Sequence, residues 1–221
     1  MARFGARFEN KEIPGKSLPE YFDGYTRIWV EAAQSVDRAA MQGLFDMIRA
    51  AAESGKRVFV AGNGGSAAIA DHLCCDWTKG THTGRERPIR THSLTSGTPI
   101  FTALANDAGY DRVFSAQLEM YADPGDILVA ISSSGESENI VNALKSARRI
   151  GMKTAAMTGF SGGKAGELAD IHLHVKTENY GVVEDVHQSI MHSVAQYAAA
   201  QGVAAESQGG RLVDLRKRRA R

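Results

Sequence analysis

Apolar positions follow two different spacings along the chain, and each spacing predicts a different element. From about residue 25 to residue 54 they recur every three or four residues, which predicts one long N-terminal helix. Short β-branched or apolar runs predict five strands, at 57–61, 89–94, 126–131, 153–158 and 171–175. Helical spacing occupies the intervals at 65–78, 99–105, 111–121 and 139–150, and a last helix at about 182–202. This alternation predicts a three-layer α/β fold, a five-stranded parallel sheet with helices on both faces.

The ends of the chain lack this periodicity. We predict an irregular N-terminal arm over 1–24, one domain over 25–205, and a basic tail over 206–221. The tail carries no aromatic residues among its charges, which favours a solvated end over an arm that binds nucleic acid or an acidic partner.

The amino-acid composition is that of an ordinary globular protein. The 221 residues are 43% hydrophobic and 23% charged, typical of a globular chain with one good core. A net charge of +1 gives nucleic acid or a membrane surface no overall attraction, and no apolar run approaches the roughly 20 residues of a membrane span. The first residues do not resemble a secretory signal, and the two cysteines, Cys74 and Cys75, are neighbours that do not predict a disulfide framework. We therefore expect a cytoplasmic protein.

The first predicted strand ends in the glycine loop, Gly-Asn-Gly-Gly-Ser at 62–66, and a helix opens directly after it. The N-terminus of a helix offers free backbone N–H groups and a partial positive charge, which suit a phosphate or another anion. We expect Ser66 to cap this helix. The loop has neither the Lys-Ser/Thr ending of a Walker A motif nor the dinucleotide fingerprint, so the anion is predicted not to be ATP or NAD. An ordinary glycine turn is the alternative.

A second loop repeats this arrangement after the third predicted strand. It is the serine loop, Ser-Ser-Ser-Gly-Glu-Ser at 132–137, and it also leads into a helix. Hydroxyls and backbone amides together make a suitable cage for phosphate oxygens. Since ligands of parallel sheets bind at the carboxyl ends of the strands, both loops are predicted to lie at one site.

Two predicted helices carry metal-binding side chains at helical spacing. His72 and Asp76 are four residues apart, and Glu184, Gln188 and His192 follow each other at the same interval. Two histidines and two carboxylates are a plausible set for Zn²⁺ or a similar divalent metal. The alternative is that each is a surface or satisfied core residue. His82, His92, His172 and His174 have no such spacing and are interpreted as structural or surface groups.

Five separated motifs, in order, resemble the sugar isomerase (SIS) domain family, and within it the phosphoheptose isomerases: GNGGS, HLCCD, AND-x-GY, ISSSGES, and E-x7-H in the last helix. The resemblance covers about residues 25–200. It implies a five-stranded parallel sheet between helices and a homotetramer with active sites between subunits. It also implies that the two loops hold a phosphorylated sugar.

Residue by residue, the resemblance implies a substrate site and a metal site. The substrate-binding positions are Asn63, Gly64, Ser66, Asp107, Ser132, Ser133, Ser134, Ser137 and Glu184. The implied catalytic acid/base pair is Asp76 and His192, and the implied ligands of a divalent metal, Zn expected, are His72, Asp76, Glu184 and His192.

Four positions depart from the family's pattern. Asp76 stands where Glu is usual, and Glu184 where Gln is usual. Gly181 replaces a usual Asp, and a usual arginine after the first helix is missing, for which Lys79, Arg85 or Arg87 would substitute. These departures affect the identity of the sugar more than the chemistry.

The function expected from the resemblance is metal-dependent aldose–ketose isomerisation through an enediol, from sedoheptulose 7-phosphate to a heptose 7-phosphate. Two alternatives stay open: an isomerase of another ketose phosphate, and a non-catalytic SIS adaptor or phosphosugar-binding protein.

Overall fold

A computed structural model describes residue 13 and residues 15–82 and 88–209. In chain order its helices and strands are α1 Leu18–Ser35, α2 Arg38–Glu53, β1 Arg57–Gly62, α3 Gly65–Cys75, β2 Arg90–Ser93, α4 Thr98–Asp107, α5 Ser115–Tyr121, β3 Ile127–Ser132, α6 Glu138–Ile150, β4 Lys153–Thr158, α7 Gly163–Leu168, β5 Ile171–His174 and α8 Tyr180–Gly209. A π-helical turn, Asp76–Gly80, follows α3, and a 3₁₀ turn, Tyr110–Arg112, precedes α5.

The five strands form one parallel sheet in the order β2-β1-β3-β4-β5. One face is covered by α1, α2, α3 and α8, whose buried apolar side chains form one core cluster with the sheet. The other face is covered by α4 to α7, which form a second cluster. The predicted three-layer fold with a five-stranded parallel sheet is confirmed.

The strand order places a crevice in the middle of the sheet. The chain leaves β1 for β2 on one side and returns to β3 on the other, so β1 and β3 are neighbours whose connections diverge. Ligands of open α/β sheets bind at such a switch point, outside the carboxyl ends of the strands. The glycine loop follows β1 and the serine loop follows β3, so the topology brings both loops to this crevice.

The predicted N-terminal helix is present as α1, but the predicted bounds, 25–54, are wrong, because that segment contains parts of two helices, α1 and α2. The break falls at Val36 and Asp37, where the backbone is extended. The Asp37 carboxylate accepts a hydrogen bond of 2.7 Å from the Ala39 N–H and so caps α2. Helix α1 begins at Leu18, inside the predicted arm, because Ser17 caps it with a bond to the Glu20 N–H.

Other bounds differ less. The predicted helix at 111–121 is divided into the 3₁₀ turn and α5, and α7, only six residues long, was not predicted. Helix α8 extends to Gly209, into the predicted tail. The rest of that tail, most of the N-terminal arm, and Arg85 and Arg87 lie outside the described residues. Within the described ranges, no helix combines the length and the apolar character that a membrane crossing requires.

Candidate active site

The glycine loop makes its turn with a glycine in the left-handed region. Gly64 has φ +56° and is the N-cap of α3, so the predicted cap, Ser66, is wrong. Ser66 instead lies inside the first turn, 4% exposed, in the wall of a cavity. At Gly65 a side chain would collide with the Glu184 carboxylate, which shows how closely α8 approaches the start of α3.

The serine loop is held by its own hydroxyls and by the next loop. Ser132 Oγ accepts a bond from the Gly135 N–H, and the Gly159 N–H donates to the Ser133 carbonyl at 2.8 Å. The hydroxyl of Ser133 is different: its residue is 6% exposed, yet Oγ has no hydrogen-bond partner within the described structure. A buried hydroxyl without a partner is costly, so this oxygen indicates a missing polar ligand.

The two loops enclose a cavity of about 180 Å³ at the carboxyl ends of β1 and β3. Of the nine predicted substrate-binding residues, the cavity wall includes Asn63, Gly64, Ser66, Ser132, Ser133, Ser134, Ser137 and Glu184. Hydroxyls and the N-termini of α3 and α6 therefore surround one small polar space, an arrangement suited to a phosphate group.

The ninth residue, Asp107, lies elsewhere. It ends α4 and accepts a 2.7 Å bond from the side chain of Asn106, and the wall of the cavity does not include it. The same motif contributes Tyr110, whose hydroxyl donates to Asn63 Oδ1 at 2.9 Å. The motif is therefore linked to the cavity through its tyrosine, which the sequence analysis did not select.

Asn63 is held from a second side by Asn139 of α6. The two carboxamides exchange a pair of 2.9 Å hydrogen bonds, and Asn139 is buried. Together with Tyr110, these contacts tie the glycine loop to the helix that follows the serine loop. Most of the hydrogen-bonding capacity of Asn63 is used inside the protein, so it fixes the shape of the cavity as well as lining it.

The second part of the site is the histidine cluster, His72, Asp76 and His192. Asp76 Oδ2 lies 3.5 Å from His72 Nε2 and 3.5 Å from His192 Nε2, and one donor atom from each residue lies within 4.8 Å of the others. The side chains are 47%, 33% and 39% exposed in the same order. Two imidazoles and one carboxylate fit the nitrogen and oxygen preference of Zn²⁺ and related metals.

Trp77 joins the two helical segments that carry this cluster through a buried hydrogen bond. Its indole N–H donates to the Met191 carbonyl at 3.0 Å, and the side chain is fully buried. Trp77 follows Asp76 and Met191 precedes His192, so this bond fixes the distance between the carboxylate and the imidazole. Asp76 also opens the π-helical turn, an irregularity often found at functional sites.

The structure brings together three of the four predicted metal ligands and places the fourth, Glu184, in the cavity wall instead. Burial raises the pKa of Glu184 above its ordinary value, and the neighbouring Asp185 raises it further. The residue beside the cluster is Gln188, whose carboxamide lies 2.5 Å from His72 Nδ1 and 3.4 Å from His192 Nε2. Its spacing of four from His192 was visible in the sequence, but we predicted no role for it.

The structure also describes two positions at which the sequence differs from the family's pattern, Lys79 and Gly181. Lys79 lies exposed on the π-helical turn. A side chain at Gly181 would approach the hydroxyl of Tyr25, which donates to Asp185 Oδ2 at 2.6 Å. A carboxylate therefore lies one turn of α8 beyond Gly181, joined to α1.

Three other histidines, His172, His174 and His187, make contacts within the fold. The imidazole of His187 is fully buried against the Thr158 carbonyl, and burial lowers its pKa to about 4. His172 and His174 stack on each other and bond to Thr158 and Phe160. They brace the loop after β4, which in turn supports the serine loop.

Comparison with known proteins gives one consistent result. A family model described as the SIS domain matches residues 20–159. A probable phosphoheptose isomerase of Thermoplasma acidophilum is 42% identical over 152 residues, which are 69% of this chain and 83% of that protein. A phosphoheptose isomerase of Aliarcobacter butzleri is 42% identical over 144 residues, 65% of this chain and 76% of that protein.

Solved structures agree with the sequence relatives. The structure of a phosphoheptose isomerase from Francisella tularensis superimposes with a TM-score of 0.77 at 29% identity, covering 83% of this chain and 96% of that one.

Proposed function

This chain belongs to the SIS domain family and is a phosphosugar isomerase, and we propose that it interconverts sedoheptulose 7-phosphate and a heptose 7-phosphate in a metal-dependent reaction. The observation that carries the proposal is the juxtaposition of two polar regions on α8. One is the cavity with the unpartnered hydroxyl of Ser133, and the other is the cluster of His72, Asp76 and His192.

The cavity binds the phosphate. Ser133 Oγ donates to a phosphate oxygen and thereby gains the partner that this buried hydroxyl lacks among the described residues. The N-termini of α3 and α6 add backbone N–H groups and positive dipole ends. Binding energy from the phosphate, which does not react, then positions the reacting carbons toward the histidine cluster.

The histidine cluster moves the proton. Aldose–ketose isomerisation transfers hydrogen between adjacent carbons through an enediol, which requires a base for the C–H proton and a group that exchanges protons with the oxygens. Asp76 faces both histidines through Oδ2, which leaves Oδ1 to accept the C–H proton. His192 exchanges protons with the neighbouring oxygen; because one ring nitrogen cannot hold a metal and a proton together, Nε2 does this only while it is not a metal ligand. A divalent cation, Zn²⁺ by the chemistry of the donor set, would be held by His72, Asp76 and His192 and would supply Lewis-acid stabilisation of the developing charge.

The test is direct. Protein supplied with Zn²⁺ is incubated with sedoheptulose 7-phosphate, and ¹H NMR follows the appearance of an aldose signal, with a chelated sample beside it. We expect product only with metal. Product in both samples would contradict metal dependence. Product only from a different ketose phosphate, such as fructose 6-phosphate or ribulose 5-phosphate, would contradict the heptose assignment. Phosphosugar binding without any turnover would favour a non-catalytic role.

We also propose that the protein works as a homotetramer in the cytoplasm, with active sites between subunits. Support comes from the exposure of the histidine cluster in a single chain and from α1, where Leu18 and Phe22 are 79% and 64% exposed. Light scattering of the purified protein tests the tetramer, and a monomer at working concentration would contradict it.

A further inference from the structure

We propose that Tyr180, held in place by Phe160, distinguishes a phosphorylated sugar from phosphate alone by packing its ring on the carbon chain of the sugar. The inference rests on the proposed function, because it takes the cavity between the two loops to be the phosphate site. It assigns a specificity-determining role to two aromatic residues that the sequence analysis did not select.

The first argument is the make-up of the cavity wall. Among the described residues that line the cavity, Tyr180 alone carries an aromatic ring, and most of the others present hydroxyls, amides or glycine backbone. Such polar groups suit the oxygens of a phosphate. An aromatic ring instead offers a large apolar face that loses little conformational entropy when it is ordered. Tyr180 is therefore the wall residue suited to the carbon chain.

The second argument is that the ring of Tyr180 rests on a second ring. The centroids of Phe160 and Tyr180 lie 4.6 Å apart with the ring planes tilted by 52°. Tyr180 begins α8 and stands four residues before Glu184, which also lines the cavity. Residues four apart share a face of a helix, so both side chains border the cavity from the same side.

The third argument is the backbone of Phe160. Its φ is +49°, and within the described part of the chain it is the one residue other than glycine with a positive φ. Its N–H donates to the Thr177 carbonyl at 2.9 Å, and its carbonyl accepts a 2.8 Å bond from His174 Nε2. A bulky residue persists in this strained region only where its surroundings hold it, and such residues cluster at functional sites. Since glycine would avoid the strain, the phenylalanine indicates a use for the ring.

The fourth argument is that this loop is joined to the phosphate site. The N–H of Gly159, the residue before Phe160, donates to the Ser133 carbonyl at 2.8 Å. A side chain at Gly159 would collide with Val183, so the loop also lies directly against the first turn of α8. The aromatic pair is thereby held at a fixed distance from the buried Ser133 hydroxyl.

The experiment compares two ligands by calorimetry with the full-length protein as purified. One is inorganic phosphate. The other is the heptitol 7-phosphate made by reducing sedoheptulose 7-phosphate, which has no carbonyl and cannot isomerise. The variants are Tyr180→Ala, Tyr180→Phe and Phe160→Gly, and thermal unfolding establishes that each is folded. Phe160→Gly removes the ring while the backbone conformation is retained, because glycine adopts a positive φ readily.

The matched control is Tyr197→Ala. Tyr197 is also on α8, and its ring packs on Phe45 with centroids 4.8 Å apart, so the variant breaks a comparable aromatic pair away from the cavity. It should bind both ligands like wild type.

We expect Tyr180→Ala and Phe160→Gly to weaken binding of the heptitol phosphate by about fivefold or more, and to leave the affinity for inorganic phosphate unchanged. Tyr180→Phe, which keeps the ring, should restore most of the affinity that Tyr180→Ala loses. An equal loss for both ligands would indicate a purely structural role and overturn the inference. So would wild-type binding of the heptitol phosphate by Phe160→Gly, or a loss in Tyr180→Phe as large as in Tyr180→Ala.

The wild-type protein separates this inference from the function on which it rests. If it binds the heptitol phosphate no more tightly than inorganic phosphate, the assignment of Tyr180 is wrong. If it prefers the heptitol phosphate but isomerises no ketose phosphate, the proposed reaction is contradicted, and the preference still supports a wall that recognises the sugar.

Discussion

The cavity and the histidine cluster border the same helix, α8, yet they are built in different ways. The cavity is made of backbone turns and buried hydroxyls, and its shape is fixed by hydrogen bonds between loops, such as those of Asn63 with Asn139 and Tyr110. The cluster is made of longer side chains, a third to a half exposed, that meet from two helices. This difference indicates that the two regions have different roles. The preformed cavity binds the substrate, and the more exposed histidine cluster carries out the reaction.

The largest effect should follow from removing the charge of Asp76. Asp76→Asn keeps the shape of the side chain but cannot accept the proton, and loss of one general base typically costs about 10²- to 10⁴-fold in rate. We expect kcat to fall by that amount while binding of the sugar phosphate changes little. Steady-state kinetics and calorimetry measure the two separately.

Glu167→Gln is the matched control for Asp76→Asn. Glu167 is an exposed carboxylate on α7, away from the site, and its variant should behave as wild type. Near-full turnover by Asp76→Asn would mean that the cluster is not where the proton moves.

Ser133→Ala should affect binding instead. A hydrogen bond to a charged group is worth about 1.5–3 kcal/mol, so KM should rise by roughly 10-fold or more while kcat changes little. The same substitution removes a buried hydroxyl without a partner, so thermal stability should be unchanged or higher. Ser161→Ala, at an exposed position in the loop after β4, is the control. A fall in kcat with unchanged KM would contradict the claim that the cavity binds the substrate while the histidine cluster carries out the reaction.

Glu184 should make anion binding in the cavity depend on pH. Because its pKa is raised, the carboxyl group stays neutral to a higher pH than an ordinary glutamate and repels anions only above that pKa. Sulfate, which does not titrate in this range, should therefore bind more weakly as pH rises through the Glu184 pKa, by several-fold. Calorimetry on metal-free protein measures this affinity, and Glu184→Gln should make it independent of pH. If sulfate affinity still depends on pH in Glu184→Gln, a group other than Glu184 causes that dependence.

The smallest effect is expected from Tyr110→Phe, which removes one bond to Asn63. A neutral hydrogen bond contributes about 0.5–1.5 kcal/mol, so KM should rise two- to ten-fold at most. Tyr197→Phe on α8 is the control, since its ring packs on Phe45 away from the cavity. An effect on kcat as large as that of Asp76→Asn would show that Tyr110 takes part in the reaction.

The sequence predicted the cavity better than the cluster, for a physical reason. Residues 62–66 and 132–137 each follow a buried strand directly, so a short stretch of chain carries the strand, the turn and the helix start together. The parallel sheet then brings the two loops to one edge. Only Asp107, which depends on how α4 and the following turn pack, was expected in the cavity wall and lies elsewhere.

Predicting which residues form the histidine cluster requires knowing how α3 and α8 face each other, which the sequence does not give. Residues 184, 188 and 192 share a helix face, but each step of four rotates the side chain by roughly 40° because a turn holds 3.6 residues. Spacing alone therefore could not decide whether Glu184 or Gln188 lies beside His72. Likewise, the break between α1 and α2 depends on a cap at Asp37 within an otherwise continuous apolar pattern.

The most direct test of the account is solvent-hydrogen exchange in D₂O with sedoheptulose 7-phosphate, followed by NMR in wild type and Asp76→Asn. Wild type should form the aldose and incorporate deuterium at the carbon next to the carbonyl. Asp76→Asn should bind the sugar phosphate with near-normal affinity and incorporate almost none. Deuterium incorporation by Asp76→Asn at the wild-type rate would contradict the claim that the cavity binds and the histidine cluster moves the proton.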